Sequence, residues 1–256
     1  MAIPRMDIHI FTLFPRVFRG PFQESIVKRA INAGIVTLEL HNIRDYASDR
    51  HHVVDDYQYG GGAGMVMKPE PVFAAVEDVM ASYPDGLWRD RPIVLLSPQG
   101  RLFSQGVAKE FSRKGGLMLI CGRYQGVDER VREHLATDEI SLGDFVLSGG
   151  EIAAMAIVES VVRLLPGVVG SRESVETDSI TSGLLQGPLY TRPFSFRGWE
   201  VPQVLVSGDH AAVARWRRQQ ALRRTFERRP VLLETASLTD EDLRFLASLG
   251  YRREQG

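Results

Sequence analysis

The sequence predicts an α/β fold built on a parallel sheet, followed by a smaller, mainly helical C-terminal domain. Three observations predict it. Apolar runs of strand length alternate with helical patterns through the first two thirds of the chain. The interior runs are nearly continuous hydrophobes, as strands covered on both faces require. After Pro166 the sequence turns polar and then mostly helical.

Strands are expected over Ile8–Phe14, Val36–Ile43, Pro92–Ser97 and Leu117–Cys121. The first helical pattern runs over Val17–Ala33 and is closed by Gly34, which suits a C′ position. The second covers Pro71–Ala81, with proline in its first turn. Ser104–Arg113 and Val127–Leu135 also read as helical. The longest apolar stretch, Ile152–Val169, contains Glu159, Arg163 and Pro166. A membrane span needs about 20 mostly uncharged apolar residues, so this stretch reads as a buried helix. Beyond it come His210–Phe226 and Asp240–Leu249, the latter capped by Thr239 with Asp242 at the third helical position. The expected organisation is a domain over 1–168, a linker over 169–180 and a helical domain over 181–256.

Composition sets the outer limits. The 256 residues are 44% apolar and 25% charged, which is ordinary globular usage for one or two domains. The single cysteine, Cys121, forbids an internal disulfide and suits a reducing cytosol. Asp7 and His9 interrupt the first apolar run, so no secretory signal is expected and a cytoplasmic location is. The net charge of −1 does not by itself call for nucleic acid. Locally, Arg215 to Arg229 holds seven arginines and one acid, a block of +6 that can attract phosphate. By default such a run is a solvated helix face.

Four polar, glycine-bearing clusters stand out. Asp49-Arg50-His51-His52-Val53-Val54-Asp55-Asp56 precedes Tyr59-Gly60-Gly61-Gly62-Ala63-Gly64. Its glycines would let backbone N–H groups approach a ligand, although no phosphate-loop signature is met. His51, His52, Asp55 and Asp56 do not make a complete metal-ligand set, and no metal site is assigned. The other clusters are Leu96-Ser97-Pro98-Gln99-Gly100, Cys121-Gly122-Arg123-Tyr124-Gln125-Gly126 and Ser141-Leu142-Gly143-Asp144-Phe145-Val146-Leu147-Ser148-Gly149-Gly150-Glu151. The first two follow strands, and the last runs into the long helix. Ligands of open α/β sheets bind outside the carboxyl ends of strands, so three such loops could surround one ligand. Cys121 reads as a core strand residue. Arg163 on an apolar helix needs a partner or a task, and a structural ion pair is the commoner explanation. The linker acids Glu173, Glu176 and Asp178 are by default solvated.

Together the clusters resemble the TrmD family, the bacterial tRNA (guanine-N1)-methyltransferases. The resemblance runs from Leu13-Phe14-Pro15 through Asp49-Arg50-His51, Tyr59-Gly60-Gly61-Gly62, Leu96-Ser97-Pro98-Gln99-Gly100, Cys121-Gly122-Arg123-Tyr124 and Leu147-Ser148-Gly149-Gly150-Glu151. It ends at Tyr190-Thr191-Arg192-Pro193 and Arg215-Trp216-Arg217. The resemblance implies a SPOUT-type sheet domain with a deep trefoil knot, which general topology rules would argue against. It implies S-adenosylmethionine bound against Leu96, Ser97 and Pro98, against Gly122, Arg123, Tyr124 and Gly126, and against Ser141, Leu142, Gly143, Asp144, Phe145, Val146 and Leu147 with Ser148, Gly149 and Gly150. It also implies a homodimer with shared active sites. Asp178, supplied across the dimer, would be the general base, and Arg163 would stabilise charge on guanine O6. Asp55 and Gly60, Gly61 and Gly62 would help hold the anticodon loop, while Arg215 and Arg217 would grip tRNA backbone. The carboxylates of the linker make Mg²⁺ a conceivable further requirement. The chain departs from the family pattern at Gln125, Ala153 and Gln186, and has Asp209 in a Gly-Asp-His triplet.

Three other functions compete, one of them a Rossmann-type methyltransferase, which the missing glycine signature after the first strand weakens. A dinucleotide oxidoreductase would need GxGxxG after the first strand and an acid about 20 positions later, and both are missing. A non-catalytic RNA-binding module would explain the arginine block but not the three strand-end loops.

Overall fold

The computed structural model describes residues 6–170 and 178–252. Backbone contacts divide the chain into two compact units, Met1–Gly170 and Ser171–Gly256. Of the expected linker, residues 171–177, including Glu173 and Glu176, lie outside the described residues.

The first unit is built on a parallel sheet of five strands: β1 (Met6–Thr12), β2 (Val36–Asn42), β5 (Ile93–Leu102), β6 (Gly116–Cys121) and β7 (Asp138–Ser141). They lie in the order β2-β1-β6-β5-β7. A separate antiparallel pair, β3 (Asp55–Tyr57) and β4 (Met65–Met67), flanks the glycine cluster. The helices are α1 (Arg19–Phe22), α2 (Ser25–Asn32), α3 (Pro69–Ala81), α4 (Gln105–Phe111), α5 (Glu129–His134) and α6 (Glu151–Val162).

Strand periodicity assigns side chains to two cores. Ile8, Ile10, Val94, Leu96, Leu117, Leu119 and Cys121 enter one buried cluster with residues of α2, α4 and α6. Phe11, Ile93, Leu95, Met118 and Ile120 alternate with them and enter a second cluster with α3. Alternate residues thus face opposite layers, both apolar, which is why β6 and the first half of β5 read as continuous hydrophobes. Each fully buried Val, Leu or Ile contributes about 1.5–3 kcal/mol relative to exposure.

The structure differs from the sequence expectations in several places; the strand expected over Pro92–Ser97 runs on to Leu102, and neither short hairpin was expected. The single helix expected over 17–33 is divided into a 3₁₀ turn at Pro15–Phe18, α1 and α2. Pro21 lies in α1 without an N–H to donate, and Ser25 starts α2 at φ 54°, so the helical run is broken between Phe22 and Ser25. The helix expected from Ile152 to Val169 ends at Val162, and turns follow. The reading omitted β7, because Asp138 and Glu139 open it without an apolar run.

The second unit contains a two-residue hairpin, β8 (Ser195–Phe196) and β9 (Trp199–Glu200), and the helices α7 (His210–Arg228), α8 (Leu232–Thr235) and α9 (Asp240–Ser248). Leu184, Leu222, Leu233 and Leu246 form its buried centre. Thr239 caps α9 through Asp242 in a reciprocal capping box. The same Asp242 carboxylate accepts two bonds from Arg218, at 3.1 and 2.8 Å.

Candidate active site

Three segments of the first unit converge on one cavity of about 320 Å³. They are the middle of β5 around Ser97 and Pro98, the turn after β6 from Gly122 to Gly126, and the segment from Ser141 at the end of β7 to Gly150. The last two segments follow β6 and β7, and Ser97 and Pro98 lie within β5 where its pairing with β7 shifts register, so the cavity sits towards the carboxyl edge of the sheet, where such folds bind ligands. Of the residues expected to hold the cofactor, all line the cavity except Asp144. Its neighbours Gly143 and Phe145 line the wall without it. Asp144 is exposed to solvent on the same segment. The lining also includes Gln99, Gln125, Glu129, Arg132, Glu139 and Ala153, which the sequence reading did not place there. Glu129 and Arg132 pair with each other on α5. A charged pair one helical turn apart looks like surface decoration, so no sequence signal marked them.

Glycine at 150 has a steric cause. A Cβ there would sit 2.8 Å from the Cys121 backbone and 3.1 Å from the Leu96 side chain. The absent side chain lets the 141–150 segment close against the ends of β5 and β6. Gly150 N–H donates to the Gly122 carbonyl at 3.0 Å, and Arg123 and Gly149 form an antiparallel bridge. Tyr124 holds φ at 62°, an uncommon conformation for a bulky residue and one that concentrates at functional sites.

A polar network underlies the wall. The Glu151 carboxylate is buried. It accepts from Thr12 Oγ1 at 2.9 Å and lies 3.3 Å from Arg123 Nε. Arg123 Nη1 also donates to the Ser148 carbonyl at 3.1 Å, and its guanidinium lies 4.4 Å from the centre of the Phe14 ring. Arg123 thus ties two of the converging segments to α6 and to the end of β1. Cys121 is fully buried; burial, with the Glu151 charge, pushes its thiol well up, so it is not a nucleophile.

The glycine cluster joins β3 to β4. Asp55 is half-buried at the start of β3, and Gly60, Gly61 and Gly62 are exposed with positive φ. Tyr57 and Tyr59 stand almost wholly in solvent. Upstream, the Asp49 carboxylate accepts from the backbone N–H groups of His51 and Val53, at 2.8 and 2.9 Å, so its role here is to shape a turn. The hairpin is stitched to the cavity loop by main-chain bonds: Gln125 N–H to Met65 O, Met67 N–H to Gly126 O, and Asp128 N–H to Met67 O, each 3.0 Å.

These observations describe a ligand cavity with a tyrosine- and glycine-rich tip bonded to its rim. The sequence profile described as tRNA (Guanine-1)-methyltransferase TrmD matches residues 6–235. A tRNA (guanine-N(1)-)-methyltransferase of Dehalococcoides mccartyi is 56% identical over 241 residues, covering 94% of this chain and 96% of its own. The chain belongs to the TrmD family. Relatives carrying the same name include one from Symbiobacterium thermophilum, 56% identical over 241 residues, and one from Moorella thermoacetica, 53% identical over 247. They cover 94% and 96% of this chain, and 97% and 98% of their own lengths. This TrmD-family chain is a methyltransferase enzyme. No helix of the described residues is long and apolar enough to cross a membrane.

The remaining expected residues divide between the units. Arg163 ends α6 at its C-cap, in the first unit. Asp178 lies in the second, next to Ser179, whose hydroxyl accepts from Gln186 N–H at 2.9 Å. Ile180 N–H donates to Leu184 O at 2.7 Å, so Asp178 directly precedes a closed turn rooted in the core of its own unit. Arg215 and Arg217 are exposed on α7. Arg218, in the same block, is a structural partner of Asp242, and Arg224 donates to Gln186 O at 3.1 Å. The arginine block therefore mixes solvent-facing charges with ones spent on packing.

Proposed function

We propose that the cavity binds S-adenosylmethionine and that the protein methylates N1 of the guanine immediately 3′ of the anticodon in tRNA. The observation that carries this reading is the convergence of 96–98, 122–126 and 141–150 on one cavity, in a chain of this family. The fit is physical. Backbone groups and small side chains line much of the wall, and a Cβ at Gly150 would push the 141–150 segment off β6. When bound, the cofactor supplies a methyl group on an electrophilic sulfonium.

The chain supplies the rest. Guanine N1 carries a proton at neutral pH, so a base must remove it as the methyl arrives. Asp178 takes that proton, given hydrogen-bond reach. Deprotonation moves negative charge onto O6, and the Arg163 guanidinium stabilises it as it develops. Asp55 and the Gly60–Gly62 tip hold the anticodon loop. The exposed Arg215 and Arg217 neutralise tRNA phosphates.

The family reading further assigns a SPOUT-type trefoil knot and a homodimer in which Asp178 serves the partner's cavity. The contact of Gly149 and Gly150 with the segment after β6 supports a chain tucked back on itself. The domain assignment is that 1–168 binds the cofactor, 169–180 carries the base and 181–256 binds tRNA. The protein acts in the cytoplasm, where its tRNA substrate resides. Mg²⁺ would act at the linker carboxylates if it is required.

The deciding experiment is transfer of labelled methyl from S-adenosylmethionine to unmodified tRNA with guanine 3′ of the anticodon. A second tRNA with that guanine replaced is the control. Label in the first alone is the expected result. Equal label in both would overturn the assigned target.

A further inference from the structure

A cluster on the opposite edge of the sheet takes no part in this chemistry. His9 on β1 lies beside Glu39 and His41 on the edge strand β2. Among the described residues, these three alone bring three metal-ligating side chains together, with ligand atoms within 4.8 Å of one another. His9 Nδ1 is 2.9 Å from His41 Nε2 and 4.0 Å from Glu39 Oε2. We infer that His9, Glu39 and His41 form a binding site for one divalent transition-metal ion of the Zn²⁺ class, with water in the fourth position.

The ligand set is two imidazoles and a carboxylate, which a four-coordinate Zn²⁺ accepts. Imidazole nitrogen selects Zn²⁺, Ni²⁺ or Cu²⁺ over Mg²⁺, which prefers oxygen. Bonds of about 2.0–2.1 Å in tetrahedral array put ligand atoms about 3.3 Å apart. The two rings must therefore part by a few tenths of an ångström, and the carboxylate must close by a little more. Glu39 is free to do so, because its side chain is 54% exposed at the sheet edge. That exposure also opens the site to solvent ions.

The far side of His9 is already arranged. Its Nε2 lies 2.7 Å from the Tyr83 hydroxyl. Tyr83 in turn lies under the Arg91 guanidinium, 4.3 Å from the ring centre, and Arg91 pairs with Asp7 at 3.0 Å. Such outer partners fix ring orientation and leave the other nitrogen for the metal. If Nε2–H of His9 donates to Tyr83, then Nδ1 is a lone pair, and His41 Nε2–H supplies the proton of the short N···N contact. Metal binding then moves the His41 proton from Nε2 to Nδ1, with no net proton released. Burial lowers the pKa of both rings, which agrees with neutral imidazoles.

The test is titration of the full-length, metal-free protein with Co²⁺, read by visible absorption, followed by Zn²⁺ competition and equilibrium dialysis. The expected result is one ion per chain, an intense four-coordinate band and displacement by Zn²⁺ but not by Mg²⁺. His41→Ala should abolish the band, and Glu39→Gln should weaken binding at least tenfold. A His51→Ala/His52→Ala variant should bind as the parent does. The site is overturned if no four-coordinate band forms, or if the band survives in a folded His41→Ala protein. Loss of the band in the His51→Ala/His52→Ala variant would also overturn it. Should His41→Ala fail to fold by circular dichroism, unchanged affinity in Glu39→Gln would sink the assignment. No methyl donor or tRNA enters the measurement, so its failure is distinct from failure of the proposed activity.

Discussion

Arg123 meets the buried carboxylate of Glu151 at 3.3 Å, and the pair links the cavity wall to the first turn of α6. Glu151→Gln keeps the shape but removes the charge. It leaves Arg123 and Thr12 with a weaker acceptor at a buried position. The expected loss of stability is about 1–3 kcal/mol, as for a charged hydrogen-bonded group deprived of its partner. S-adenosylmethionine affinity should fall with it, because Arg123 also fixes the Ser148 carbonyl. Thermal denaturation with and without S-adenosylmethionine separates the two effects.

Gly150→Ala tests the close approach alone. The backbone at 150 has φ −75°, which alanine accepts, so any penalty comes from the Cβ pressing on Cys121 and Leu96. Overpacking of this kind costs about 1–3 kcal/mol. S-adenosylmethionine binding should weaken at least tenfold in calorimetry while α7 to α9 keep their stability. Unchanged affinity would mean that the 141–150 segment does not shape the ligand site.

Asp178→Ala and Arg163→Ala should each bind cofactor normally and lose nearly all methyl transfer. If each site takes its base from the partner subunit, mixing the two inactive variants should restore about a quarter of parental activity, since random exchange gives half heterodimers with one intact site of two. No recovery after verified subunit exchange would place both residues in one chain's site.

Acid should weaken the second unit through Asp242. Burial alone would raise the Asp242 carboxyl, but the Arg218 guanidinium and the Thr239 bonds outweigh it and hold it below the ordinary value of 3.8. A depressed folded-state pKa stabilises fully above the unfolded value and loses that stabilisation as pH falls through the folded one. Asp242→Asn should therefore be less stable than the parent at neutral pH, and the difference should shrink below about pH 4. A gap that stays constant into acid would remove the charge from the explanation.

Charge reversal at Arg215 and Arg217 should weaken tRNA binding and lower the slope of log affinity against log salt by about one per lost phosphate contact. Cofactor affinity should not change. Arg218→Ala should instead unfold the second unit, because that arginine is held by Asp242 and the Ser237 carbonyl.

The sheet was legible because its central strands are apolar on both faces, as Ile93 through Leu96 and Leu117 through Cys121 show. The three cavity loops were legible because glycine and small residues directly follow two of those strands. β7 was not, since its opening residues are charged. The break in the first helical run was equally hidden, because Val27 and Ala30 keep the helical spacing while Ser25 turns left-handed. Nor could spacing pair Glu151 with Thr12, 139 residues away. Such long-range partners follow from strand order, which local patterns do not specify. The arginine block showed its charge but not that Arg218 is committed to Asp242, 24 positions on.

The hairpin that carries Tyr59 and the exposed glycines is fastened to the cavity rim by three main-chain hydrogen bonds whose donors are Gln125, Met67 and Asp128, with Met67 and Val127 sharing one apolar cluster beneath them. Side-chain replacement at these three positions leaves each peptide donor in place, whereas proline would delete it. Such a seam passes stiffness from one bank to the other. A ligand that quiets residues 122–126 would steady the tip before any nucleic acid arrives, and a nucleic acid gripping the tip would return the favour in equal measure.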